Sequence, residues 1–121
     1  MSKKEKMNLR NRAYKFLIRI INLVDTLPKK TSSQIIGKQL IRSVTSIGAN
    51  IIEAKSSSSR KEFINFYNYS LKSANESKFW LALLKDTKLA KKSDIEYFLK
   101  ETDELSKIIA SSIITMKRNI K

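Results

Sequence analysis

The stretch Gln39–Ala54, QLIRSVTSIGANIIEA, decides the fold. On a 3.6-residue period Ile36, Leu40, Val44, Ile47 and Ile51 fall on one side, as a buried helical stripe requires. Beside that stripe Arg42, Ser46, Asn50 and Glu53 recur at spacings of 4, 4 and 3, so four polar groups line the flank of the core. A third side carries Ile41, Gly48 and Ile52. A glycine in mid-helix costs about 1 kcal/mol against alanine, so this helix is expected to have neighbours on more than one side.

Working outward, the segment before it reads as a helix over about residues 5–27. Leu9, Ala13, Phe16, Leu17, Ile20, Val24 and Leu27 keep the 3-and-4 spacing, and Pro28 bars continuation by pushing Leu27 out of the α region. Tyr14, Ile18 and Ile21 form a second apolar patch away from that stripe. The central helix runs over about 33–55, with Ser32 or Ser33 expected as its N-cap. Ser56–Ser59 then reads as a polar turn. A third helix, about 60–87, buries Phe63, Phe66, Tyr67, Ser70, Ala74, Ser77, Leu81 and Leu84, while Tyr69, Trp80 and Leu83 line up on another side. The fourth, about 94–117, is expected to open with a capping box of Ser93 and Glu96. It buries Ile95, Phe98, Leu99, Thr102, Leu105, Ile109, Ser112, Ile113 and Met116. Its first half holds Asp94, Glu96, Glu101, Asp103 and Glu104, which suit a helix N-terminus and could receive a basic face of a neighbouring subunit.

Four amphipathic helices with short connections and no strand-like alternation predict one all-α domain, an antiparallel up-down-up-down four-helix bundle over residues 1–121. With the second and third helices pivoting at Ser57 and Ser58, Arg42 comes opposite Ser73 and within a turn of Glu76. A partly buried Arg42–Glu76 ion pair is therefore expected to fix their register, with Asn50 level with Asn65. The stripe Arg42, Ser46, Asn50, Glu53, Ser73 and Glu76 reads as structural on this argument.

Composition narrows the function. The chain carries 25 Lys or Arg against 11 Asp or Glu, a formal net charge of +14. Residues 1–30 hold nine cations (Lys3, Lys4, Lys6, Arg10, Arg12, Lys15, Arg19, Lys29, Lys30) against Glu5 and Asp25, so 9 − 2 = +7. Lys85, Lys88, Lys91 and Lys92 form a second cluster near a connection. Such an excess attracts polyanions and also keeps an oligomer soluble. Arg10, Arg12, Lys15, Arg19, Lys85, Lys88, Lys91 and Lys92 are accordingly the expected nucleic-acid-binding residues. Cysteine and histidine are both absent, which removes disulfides, thiolate metal sites, the common imidazole base and the Glu-x-x-His di-iron pattern of ferritin-like bundles. No catalytic residue, metal or cofactor is expected. Glu53 and Glu76 are the only acids beside the core stripes, too far apart along the helices to share a magnesium ion. The N-terminus lacks the apolar run of a secretory signal and no span of membrane length is present, which predicts a cytoplasmic protein with no membrane partner. Membrane binding by the basic first helix is a further reading that is not expected, since its apolar stripe is needed in the core.

The apolar residues outside the core stripes, Tyr14, Ile18, Ile41, Gly48, Ile52, Tyr69, Trp80 and Leu83, predict an oligomer interface. The set Gln39, Arg42, Ser43, Ser46-Ile47, Asn50-Ile51, Glu53-Ala54, Glu62-Phe63, Phe66, Ser73 and Glu76 resembles the four-helix bundle family of proteins encoded in 23S ribosomal RNA intervening sequences, often labelled S23 ribosomal protein. That family also includes the accessory variability determinant of diversity-generating retroelements. The matching core covers about residues 39–84. Some relatives have glycine where this chain has Ala54 and proline where it has Gly48. The resemblance implies a ring-like homopentamer with a central opening and, for the accessory proteins, nucleic-acid binding and contact with a reverse transcriptase. Five copies would carry 5 × 14 = +70 formal charges. Together these readings predict a non-enzymatic protein that meets RNA or DNA phosphates without sequence preference, linked to ribosomal RNA insertions or a reverse transcriptase. The competing reading is a protein interaction scaffold whose basic surface meets an acidic protein.

Overall fold

In the computed structural model the described residues are 3–119, with side chains described from residue 9 onward. Among them the chain forms four helices and no strand: α1 (Lys3–Asp25), α2 (Thr31–Lys55), α3 (Arg60–Asp86) and α4 (Lys92–Arg118). Each end has a local cause. α1 stops ahead of Pro28, and the Thr26 hydroxyl donates to the Leu23 carbonyl at 2.7 Å. α2 is capped two or three residues earlier than expected, with extended Lys30 at the N-cap and no side-chain cap. Ser33 therefore lies inside the first turn, 3 % exposed, and its hydroxyl has no hydrogen-bond partner.

The capping box belongs to a different helix from the one expected. α4 opens at Lys92 behind an extended Lys91, with no side-chain cap, because Leu89 and Ala90 pack onto the core and turn the chain early. Ser93 is thereby carried into the first turn. At α3, by contrast, Ser59 accepts from the Glu62 amide at 3.1 Å, while the Ser58 hydroxyl donates to the Glu62 carboxylate at 3.2 Å. α3 ends with Lys88 in the left-handed region, φ 60°. There the Leu89 amide reaches the Leu84 carbonyl and the Lys88 amide the Lys85 carbonyl, both at 3.0 Å.

The stripe of α2 is buried as its spacing requires, with Leu40, Val44, Ile47 and Ile51 at 0–1 % exposure. Among the described residues the backbone of each helix runs beside two neighbours, and α1 lies diagonal to α3 and α2 to α4. The broadest seam joins α2 and α3 and the narrowest joins α1 and α4. Small side chains bring α2 and α3 together: Ser77 Oγ donates to Ser43 Oγ, Ser73 Oγ to Ser46 Oγ and Ser70 Oγ to the Ile47 carbonyl, each at 2.8 Å. As residue numbers rise along α2, those of the partners fall along α3.

The expected Arg42–Glu76 ion pair is not formed although Ser43 opposite Ser77 keeps the two charges level, because both side chains are exposed to water; the register itself also differs from the one expected. Ser46, not Arg42, faces Ser73, one helical turn away from the expected match. The cause lies in the turn, where the Ser56 and Ser57 amides bond back to the Glu53 and Ala54 carbonyls at 3.0 and 3.1 Å. α2 winds on through the first two serines, so the crossing point shifts. Arg42 and Glu76 are both exposed, and Glu76 accepts instead from the Trp80 indole at 3.2 Å. Water solvates both charges, so neither needs a partner. Asn50 donates to the carbonyl and hydroxyl of Ser46, at 2.9 and 3.0 Å, and Glu53 and Asn65 are exposed.

Candidate nucleic-acid interface

Three groups of basic side chains stand out. The first belongs to the α1–α4 seam. Arg12 is forked between Glu101 and Glu104, the latter at 2.9 Å, and Arg19 donates to the Tyr97 hydroxyl at 2.9 Å. Burial works against the charge on Arg12, but the hydrogen bonds and negative charges of the two glutamates outweigh it and hold its pKa above the ordinary arginine value. Arg12 is thus bound into the fold, whereas Arg10 and Lys15 on the same helix are exposed. Lys78 bonds Asp103 at 2.6 Å across α3 and α4. Glu101, Glu104 and Asp103, set down in the sequence as receivers for a neighbouring subunit, are therefore paired within the chain.

The second group sits where the α1–α2 and α3–α4 connections meet, around a cleft lined by Thr26, Leu27, Leu89 and Lys91. Lys85, Lys88, Lys91 and Lys92 gather there with Lys29 and Lys30, but so do Asp25, Asp86, Asp94 and Glu96. Lys92 pairs with Glu96 at 3.8 Å.

The third group was missed in the sequence. Lys55 closes α2, Arg60 and Lys61 open α3, and Lys117 and Arg118 close α4. These stretches are far apart in the chain and converge at one end of the bundle: Arg60 donates to the Asn119 carbonyl at 2.9 Å. A shallow cleft of about 350 Å³ is bounded by Lys55, the serine turn, Arg60 and Met116. Leu9 of α1 reaches the same end, sharing a second cleft with Phe63 and Met116. Lys3, Lys4 and Lys6 begin α1 in sequence, and their side chains lie outside those described.

The apolar residues expected at an oligomer interface divide. Tyr14, Ile18, Ile52 and Tyr69 are 43–64 % exposed. Ile41, Trp80 and Leu83 are half-buried and pack on the protomer's own core. Ile35, Phe79, Tyr97 and Ile114 are exposed as well; Phe79 escaped the sequence reading although it falls on the same face of α3 as Tyr69 and Leu83. Between α1 and α2 runs an apolar groove of about 450 Å³ lined by Tyr14, Leu17, Gly48, Ala49 and Ile52, with Arg10 at its rim. Among the described residues no helix is long and apolar enough to cross a membrane.

The family model of the 23S rRNA-intervening sequence protein matches residues 5–111. A crystal structure of a protein with unknown function from the S23 ribosomal protein family, from Bacteroides thetaiotaomicron VPI-5482, is similar in fold and sequence. Its TM-score is 0.82 at 38% identity, over 87% of this chain and 97% of that one. No curated protein matches the chain.

Proposed function

The chain belongs to the 23S rRNA-intervening sequence protein family, and from that premise we propose that it is a non-enzymatic, basic homo-oligomer that binds RNA or DNA through the phosphates, without reading sequence. One observation carries the reading. Glu101, Glu104 and Asp103 are paired with Arg12 and Lys78 inside the protomer, so the net charge of +14, which already counts these acids, rests on cations elsewhere on the surface. That surplus attracts polyanions, and each phosphate neutralised releases counterions. The absence of histidine and cysteine favours binding over catalysis.

The assembly belongs to the same proposal: an antiparallel up-down-up-down bundle packed head to tail into a ring, a pentamer by family likeness. Two apolar faces support it. Tyr14 and Ile52 line the α1–α2 groove with Ile18 exposed on the same helix as Tyr14, and Tyr69 and Phe79 stand exposed on α3, diagonal to α1. Both faces span the same height: Gly48 packs beside Ala13, and Ile47 is level with Ser70. A repeated contact between two different faces closes into a ring when it does not climb. Work in the cytoplasm beside ribosomal RNA or a reverse transcriptase is the setting that the family likeness suggests.

Binding of labelled RNA and DNA of unrelated sequences, titrated with salt, tests the reading. Affinity is expected to fall log-linearly with salt and to differ little between sequences. Absence of binding to either nucleic acid at low salt would leave the protein interaction scaffold in its place. Light scattering of the wild-type chain tests the assembly, and a monomeric mass would remove it.

A further inference from the structure

Resting on that reading, we propose that nucleic-acid phosphates are met at the serine-turn end of the bundle, by Lys55, Arg60, Lys61, Lys117 and Arg118, and not along the α1 flank. Three observations lead there. First, the fold collects these five cations from three helices onto one end, joined by the bond from Arg60 to the Asn119 carbonyl. Among the described residues the acids beside them are Glu53 and Glu62, and the Glu62 carboxylate accepts from the Ser58 hydroxyl. None of the five forms an ion pair among the described residues, whereas Arg12 and Lys92 do and Arg19 is held by Tyr97.

Second, Arg60 and Lys61 stand in the first turn of α3, where the helix dipole is already positive and favours an acid. Cations there work against the folded protomer, and an anion laid across them relieves that cost. Lys55, Lys117 and Arg118 lie instead at helix C-terminal turns, so the patch does not depend on one helix end. Third, the aromatic ring that lines this cleft, Phe63, is half-buried and stacked on Tyr67 with ring centroids 4.6 Å apart. With that ring engaged inside the protomer, the chemistry the patch offers is charge against phosphate, which duplex and single strand both present.

The test uses the full chain and a short labelled RNA duplex of mixed sequence, with binding measured across a salt series. Lys55→Gln with Lys61→Gln is compared with Lys29→Gln with Lys30→Gln at the opposite end, and circular dichroism checks that each double variant keeps its helix content. The serine-end pair is expected to reduce the magnitude of the salt slope by about two and to lower affinity on the order of tenfold. The opposite pair is expected to leave both near wild type. Lys61→Gln alone is expected to preserve or raise the melting temperature while weakening binding, a combination that a purely structural lysine would not produce. Unchanged binding in the serine-end pair, or equal losses from both pairs, overturns the placement alone. Absence of binding by the wild-type chain overturns the placement and the nucleic-acid reading together.

Discussion

Gly37 and Gly48 are both helical glycines of α2, and they differ in what a methyl group would meet. A Cβ at Gly37 would lie 2.8 Å from Val24 Cγ1, and a valine in a helix has little χ1 freedom with which to retreat. Gly37→Ala is therefore expected to destabilise the protomer, although alanine by itself favours the helix by about 1 kcal/mol. At Gly48 the nearest neighbour is Ala13 Cβ at 3.8 Å, an ordinary contact, so Gly48→Ala is expected to gain up to about 1 kcal/mol. Thermal unfolding of the two variants checks the opposite signs. Ser33 presents the reverse situation, a buried hydroxyl without a partner; Ser33→Ala is expected to stabilise by about 1 kcal/mol in denaturant titrations. Burial raises the pKa of Tyr67 above the ordinary 10.0. The folded state then keeps its proton where the unfolded chain loses it. Stability is whole below about pH 10 and falls as pH rises from there through the folded-state value. Tyr67→Phe is expected to flatten that alkaline decline.

Between elements, the serine seam carries what the sequence assigned to a salt bridge. A double-mutant cycle on Ser43→Ala and Ser77→Ala is expected to give a coupling of about 0.5–1.5 kcal/mol. Arg42→Ala and Glu76→Ala, both at exposed sites, are each expected to stay within about 0.5 kcal/mol of wild type. Unfolding titrations measure all four. The buried stripe of α2 was legible because apolar spacing reports a helix's inward side whatever lies opposite. The pairing of Ser46 with Ser73 was not, because it turns on one helical turn of register, and the winding of Ser56 and Ser57 sets that turn. Ser59 as a cap was hidden among four serines that all look alike as turn residues. The basic end was illegible for a related reason. Lys55, Lys61 and Lys117 are unremarkable apart, and only the meeting of three helix ends makes them one surface.

At the scale of the whole molecule the four seams are unequal, and this has a consequence for the order in which the chain assembles. The α2–α3 seam is broad and joined by a four-residue turn, so closing it costs little chain entropy, whereas the α1–α4 seam is narrow, spans the sequence and is clasped by Arg12. The hairpin of α2 and α3 is expected to form in the folding transition state, with α1 docking onto α4 afterwards. Leu81, fully buried in that hairpin, and Phe16, which meets Phe98 with ring centroids 6.0 Å apart, supply the two probes. Leu81→Ala, expected to cost about 2–5 kcal/mol, should chiefly slow folding, and Phe16→Leu should chiefly speed unfolding. The pair of hydroxyls at Ser43 and Ser77 would then mark where the search for the native state begins.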